Sequence, residues 1–399
     1  MRSKTLILLS VAAIVAIGAA VYIVSSREDQ ESVAMQPTLL FPGLGGKVGD
    51  IATITVAGAK QKLTITRSAG AKGAEGWVIK EKSDYPAKPD AVKAVIAGMV
   101  GIRAIEPRTD QPDLYGKIGV EDIDKPDAKA VRLAFADAGG KELAALLVGN
   151  NKSYASDSHP AQLYVRKPGA ARSWLAEGRL EVKTDPMTWI DRELTKISRD
   201  RVMSVEVVQP NGDKVVQSRA NAKQEDWDVT GLPAGAKPKQ TDLNGTGSAL
   251  EFLTCEDVAK ATDIAFDKAT VATFRTFDGL VVTVKSVKKD GKPWIRLGAS
   301  VDAAQAAKNA PKPVAAAPAA PPGDKATPAA AAGKTPPPAA AAPAAPAADA
   351  AIVKEAADIE RRFGPWAYQI PDYEAGNLTH TPADLVMTDK SASGDKKSN

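Results

Sequence analysis

Residues 185–205 read DPMTWIDRELTKISRDRVMSV, and they decide how the rest of the chain divides. Asp185 is placed to cap a helix with Pro186 at its first position, and Trp189, Ile190, Leu194 and Ile197 supply an apolar side. A connecting helix over residues 185–200 is therefore expected, and on either side of it the chain follows one plan. Upstream, residues 51–56 (IATITV) and 62–67 (KLTITR) alternate apolar and polar side chains as half-buried strands do, and 76–79 (GWVI) follows. Downstream, 202–207 (VMSVEV), 214–219 (KVVQSR) and 226–229 (DWDV) repeat that order, with Trp227 standing 150 residues after Trp77.

After each such block the period changes. Pro89-Asp90 opens a helix with Val92, Val95, Ile96, Met99 and Val100 on one face. In the second copy residues 243–253, with Leu250, Phe252 and Leu253, hold the matching place. Residues 114–120 (LYGKIGV) read as a short turn of helix stopped by Gly119. A further strand set follows in the first copy (130–135, 142–148, 162–165, 172–175) and reads as a second antiparallel sheet. Its counterparts are 271–277, 281–287 and 294–297. Residues 312–346 are almost wholly alanine and proline, a composition that buries no core and extends at about 3.1 Å per residue, up to ~100 Å fully stretched. A helix over 350–363 and a strand over 366–370 come next; the strand is matched to Leu163-Tyr164-Val165 and returns to the second copy's sheet.

The N-terminus opens with Arg2 and Lys4 before an uncharged run, residues 5–24, of the length that crosses a bilayer. A cleaved signal peptide, for which Gly18-Ala19-Ala20 offers a weak site, is the competing reading, and the apolar residues that continue through Val24 favour the uncleaved anchor. The preceding positive charges favour a cytoplasmic N-terminus and a body on the other side. The expected class is α+β: a transmembrane helix, then two tandem related units of antiparallel sheet with packed helices, plus a low-complexity insertion. The expected divisions are 1–26 (anchor), 27–38 (polar spacer), 39–184 (first unit), 185–200 (connecting helix), 201–300 (second unit), 301–349 (Ala/Pro linker), 350–389 (helix and strand completing the second unit) and 390–399 (polar tail).

Composition removes several function classes. The net charge of +4 over 399 residues is too weak a bias for nucleic acid. Cys255 is the only cysteine, so no internal disulfide forms, and with only His159 and His380 a Cys/His zinc site has too few ligands. The glycines at 43, 45, 46 and 49 fit neither phosphate-binding pattern, since Val48 stands where the last glycine of GxGxxG belongs, and they precede a strand. Ser153, Ser156, Asp157, Ser158 and His159 gather triad letters within seven residues, but a triad needs partners brought in from elsewhere, so a polar loop is the simpler reading. Glu121, Asp122 and Asp124 form an acidic turn that reads as solvated, and Cys255 reads as buried and inert. Trp77, Trp189, Trp227, Trp294 and Trp366 read as core. No catalytic, cofactor-binding or metal-ligating residue emerges.

Six stretches in this order carry a resemblance: LLFPGL before a strand, GWVI before a helix, LYGKIGVED, the YVRKPG strand, DPMTWIDREL and WAYQIPDYEAGNL. Together they resemble proteins with the DUF4340 domain, over residues 39–385 apart from the Ala/Pro insertion. The resemblance implies a bacterial, membrane-anchored protein without an established activity; some members are described as auxiliary components of a gliding-motility-type ABC transport system. Its implied partners are the bilayer, through residues 5–24, and ABC permease and ATPase subunits. The expectation is thus a non-enzymatic, single-pass inner-membrane accessory protein with a periplasmic body. The alternative is a periplasmic glycan or cell-wall binding module, which requires exposed, co-facial rings among Tyr164, Trp174, Trp294 and Tyr368.

Overall fold

Period-two alternation governs both halves of the chain, and each half answers it with one antiparallel sheet. The structure, a computed structural model, describes residues 36–68, 76–156, 160–309 and 350–387. The chain separates into two compact units, dividing after Ile190.

Unit 1 contains β1 (Thr38–Leu39), β2 (Thr53–Ala57), β3 (Lys62–Arg67), β4 (Trp77–Ile79), β5 (Tyr85–Pro86), α1 (Pro89–Gly101), β6 (Arg103–Pro107), α2 (Pro112–Ile118), β7 (Val131–Ala136), β8 (Glu142–Ser153), β9 (Gln162–Arg166) and β10 (Ser173–Glu177). Its strands form a ten-stranded sheet in the order β1-β6-β10-β9-β8-β7-β2-β3-β4-β5. The two strand sets that the sequence suggests as separate sheets are therefore one, because β2 pairs with β7 along its whole length. On that seam Ile54 lies opposite Phe135 and Val56 opposite Leu133, and all four are fully buried. Burying such a face while leaving the β2 edge unpaired would strand its backbone N–H and C=O groups, so pairing and burial come together.

Unit 2 contains β11 (Val202–Val208), β12 (Lys214–Ser218), β13 (Asp228–Thr230), α3 (Gln240–Gly247), β14 (Asp257–Lys260), β15 (Thr270–Thr276), β16 (Leu280–Lys289), β17 (Lys292–Val301), α4 (Ala303–Asn309), α5 (Ala350–Phe363), β18 (Trp366–Gln369) and α6 (Asp372–Thr379). Its eight-stranded sheet runs β13-β12-β11-β15-β16-β17-β18-β14. Setting β11–β13 against β2–β4, β14 against β6, and β15–β18 against β7–β10 makes the two orders the same. Unit 1 adds β1 and β5, one at each edge.

That correspondence corrects the placing of the last strand. β18 takes the position of β10, and β17 that of β9 (which holds Leu163–Val165), so the long insertion opens where unit 1 has a six-residue connection between β9 and β10. The insertion also begins later than residue 301: β17 runs to Val301 and α4 follows it.

The expected connecting helix over 185–200 is absent. A 3-10 turn, Pro186–Trp189, is capped by the Asp185 carboxylate accepting from the Met187 N–H, and the chain then runs extended. The backbone N–H groups of Leu194 and Ile197 donate to the carbonyls of Leu253 and Leu250, so bonds to another segment replace those a helix would make. The same bonds explain why α3 stops at Gly247: residues 250–253 offer their carbonyls to 194–197, and Phe252 is left 66% exposed.

Other expectations hold. α2 ends at Gly119 in the left-handed region (φ 69°), its N–H returning to the Tyr115 carbonyl. α1 buries Val92, Val95 and Met99, but Ile96 and Val100 are only half covered. α5 buries Ile352, Ala356 and Phe363. Among the described residues no helix is long and apolar enough to cross a membrane. The anchor expected at 5–24, most of the spacer, residues 310–349 of the Ala/Pro segment and the tail lie outside the described residues.

Candidate functional site

The repeated tryptophans sit at repeated places, and each carries an arginine over its ring. In unit 1 Arg67 ends β3 directly opposite Trp77 on β4, with its guanidinium carbon 5.0 Å from the indole centroid. In unit 2 Arg219 follows β12, Trp227 precedes β13, and the distance is 4.5 Å. Both indoles are almost completely buried. The arginine Nε and indole Nε1 atoms of both pairs lack hydrogen-bond partners, so the stacked cation–ring contact is what holds them. Each arginine also ties down the turn before the sheet: Arg67 Nη1 donates to the Gly49 carbonyl at 3.0 Å, and Arg219 Nη2 to the Arg199 carbonyl at 2.7 Å. The 3-10 turns before the two sheets end alike, the Ile51 N–H returning to the Val48 carbonyl and the Val202 N–H to the Arg199 carbonyl, so Val48 and Arg199 are equivalent positions.

The helices align as firmly. The Lys88 N–H donates to the Trp189 carbonyl just before α1, and the Lys239 N–H to the Leu385 carbonyl just before α3. Counting from these, Lys93 corresponds to Asn244 and Ile96 to Gly247.

With that register the two sites can be compared residue by residue. In unit 2 the Arg199 side chain crosses from the turn to the helix, where its Nη2 donates to the Glu225 carbonyl (2.7 Å) and to Asn244 Oδ1 (2.9 Å). Gln240 clasps the Trp227 backbone through both amide atoms, and Gly247 lies against the indole, where a Cβ would come 2.2 Å from Cζ2. The site is filled from within. Burial lowers the Arg219 pKa, and the neighbouring Arg199 charge adds to that effect.

In unit 1 the corresponding space is open: about 480 Å³ lined by Val48, Gly49, Arg67, Trp77, Lys93, Ile96, Ala97 and Val100. At the position of Arg199 stands Val48, whose short apolar side chain lines the space and carries no donor across it. Lys93 pairs only loosely with Asp90, at 3.8 Å, and both side chains are largely exposed. This slot is the candidate site. The sequence carried a trace of it, since KLTITR and KVVQSR both end in the arginine that stacks on the next tryptophan.

The residues weighed from sequence lie elsewhere. Ser153 ends β8, and Asp157, Ser158 and His159 fall outside the described residues. The acidic turn is partly structural: Glu121 is buried and accepts from the Lys129 N–H, while Asp122 pairs with buried Arg166 at 2.7 Å. Among the described residues no group of three or more His, Cys, Asp or Glu is arranged to hold a metal ion. Cys255 is fully buried, and burial pushes its thiol up to about 12, which keeps it protonated and unreactive. Trp189 is core, with its Nε1 donating to the Lys183 carbonyl at 2.9 Å, whereas Trp294 and Trp366 are half-buried.

The four rings that a glycan platform would need do not share a face. Leu175 lies opposite Tyr164 and Val165 opposite Trp174, so these two rings point to opposite sides of the sheet. Gln369 lies opposite Trp294 and Ile295 opposite Tyr368, which separates that pair in the same way, and Tyr368 is wholly buried.

The chain matches the family model described as Domain of unknown function (DUF4340) over residues 77–272, from the tryptophan of the slot to β15. The match is shorter than the span over which the six sequence stretches extend. No curated protein matches.

Proposed function

We propose that this DUF4340-domain protein is a non-enzymatic accessory body of a bacterial inner-membrane complex. Residues 5–24 tether it, its N-terminus is cytoplasmic, both units are periplasmic, and unit 1 presents the binding surface. The observation that carries the reading is the contrast between the units. One scaffold is built twice; its site is filled by Arg199 in unit 2 and left open in unit 1, where Val48 holds the same position. A protein that turns over substrate brings a nucleophile and a base into reach of each other. Here the thiol is buried and protonated, and buried Glu374 is occupied by the Thr254 N–H and hydroxyl. The open slot offers cations and apolar surface, which suits holding a molecule rather than transforming it.

The tether is supported by the uncharged length of residues 5–24 behind Arg2 and Lys4. The complex served is an ABC-type transporter, a link that rests on the family resemblance. Crosslinking the full-length protein in living cells, followed by mass spectrometry of what it holds, tests the reading. Recovery of a permease with an ATP-binding subunit is the expected result. Recovery of only the protein itself, or of cell-wall fragments, would overturn it.

A further inference from the structure

Two of the exchanges between the open slot and its filled counterpart together reverse what the site lacks. In unit 2 a cation enters from the turn and meets acceptors: Arg199 reaches Asn244 Oδ1 and the Glu225 carbonyl. In unit 1 Val48 replaces that cation, and Lys93 replaces the side-chain acceptor on the helix. The charged side chains lining the space are therefore both cationic, Arg67 at its base and Lys93 at its rim, and no acid lines it. The remaining wall is apolar: Val48, Trp77, Ile96, Ala97 and Val100. Ile96 and Val100 belong to the face by which α1 packs, yet they stay half exposed at the slot. The volume, about 480 Å³, is that of a small-molecule site.

We infer that the slot of unit 1 binds an anionic amphiphile, with one acidic head between Arg67 and Lys93 and a short apolar body on Trp77, Ile96 and Val100. A charged acceptor there would add to the carbonyl that Arg67 holds and give Lys93 a closer partner than Asp90 at 3.8 Å, and the apolar body covers surface that unit 2 covers with its own side chain. The inference rests on the reading of unit 1 as the binding unit and assigns that site a ligand class.

The test uses the full chain in lipid nanodiscs, an amine-reactive label, and peptide mass spectrometry of Lys93 with exposed Lys117 as reference. Decanoate is the probe and 1-decanol its uncharged counterpart. Decanoate is expected to protect Lys93 selectively, and decanol to need roughly tenfold more for the same protection, the discrimination that one charged hydrogen bond provides. Equal protection by both would overturn the acidic head, and protection by neither would overturn the site. Val48→Arg, which puts a long cationic side chain where unit 2 has Arg199, is expected to abolish protection; unchanged protection in that variant would place the ligand elsewhere and overturn the assignment. The same variant separates this inference from the accessory reading. If Val48→Arg loses its transporter crosslinks while decanoate fails to protect the unaltered chain, the slot serves a protein partner and only the ligand class falls.

Discussion

Units 1 and 2 share eight strands in one order and a tryptophan–arginine pair at one place, yet they have diverged at opposite ends of that plan. Unit 1 keeps a six-residue connection between β9 and β10, closes both sheet edges with two-residue strands, and leaves its slot empty. Unit 2 opens the matching connection into a segment carrying α4, the Ala/Pro run and α5, and it fills the slot. α5 is anchored to the start of β11, where Arg201 forms a two-pronged pair with Glu355 at 2.9 Å for each bond. The Glu355 carboxylate raises the Arg201 pKa, so the guanidinium stays charged. The comparison teaches that the sheet is the fixed part. Change is tolerated at a hairpin, where an insertion costs little closure entropy, and on the helix-side wall, where a few side chains decide whether a space exists.

The comparison breaks most readily at what the units share. Trp77→Ala and Trp227→Ala each remove a buried indole and the ring beneath an arginine. Each is expected to cost about 3–5 kcal/mol. Hydrogen exchange followed peptide by peptide should show protection falling throughout the unit that carries the change. A loss confined to the few residues around the ring would mean that the pair is peripheral to folding.

The next effect separates the units at one equivalent position. Gly247→Leu drives a side chain into the Trp227 ring, since even a Cβ would come within 2.2 Å of it. Overpacking of this kind costs about 1–3 kcal/mol. Ile96→Leu, the matching change in unit 1, faces open space and is expected to cost under about 1.5 kcal/mol. Equal costs, measured as urea midpoints of the two variants, would show that the wall of unit 1 is as tightly filled as that of unit 2.

A smaller effect is expected from Arg199→Ala. It opens the slot in unit 2 and takes the donor from Asn244 and from the Glu225 carbonyl. Because the site is only part-buried, water can replace one of those bonds, and the loss should be about 1 kcal/mol. A fall of several kcal/mol would mean that the filled slot is a keystone of unit 2 rather than a closed copy of a binding site.

Much of this plan was legible because it is local. Period two marked β2, β3, β11 and β12, and Pro89 and Gly119 marked where α1 begins and α2 ends. What stayed hidden depends on contacts between distant residues. The continuity of the sheet rests on β2 meeting β7 across more than seventy residues, and hydropathy says nothing of which strand lies beside which. The helix expected over 185–200 had a sound cap and an apolar side, yet the carbonyls of Leu250 and Leu253 won its backbone donors. The slot was hidden for the same reason. Glycines 43–49 read as a plain turn, and only the fold shows that the Gly49 carbonyl holds Arg67 and that Val48 stands where unit 2 has Arg199.

The finest distinction lies five residues before the carbonyl that fixes each helix start. Unit 1 has Thr184 there, its hydroxyl 3.1 Å from Gln61 Oε1; unit 2 has His380. Burial lowers the His380 pKa from 6.5; Asp242 and Asp384 pull it back upward, and Lys239 adds to the lowering. Its Nε2 is buried without a partner, which is tolerable for a neutral imidazole and costly for a charged one. The sign follows. Below pH 6.5 the unfolded chain takes up a proton that the folded chain refuses, so unit 2 loses stability as pH falls from 6.5 to the lowered value and nothing further from this group below it. The single thiol, Cys255, is buried in unit 2, so its exposure to a disulfide reagent that reacts at acid pH reports the urea midpoint of that unit alone. That midpoint should drop between pH 7 and pH 5.5 in the native chain and drop less in His380→Gln. An unchanged slope in the variant would assign the pH response to other groups and leave Thr184 and His380 equivalent in effect as well as in position.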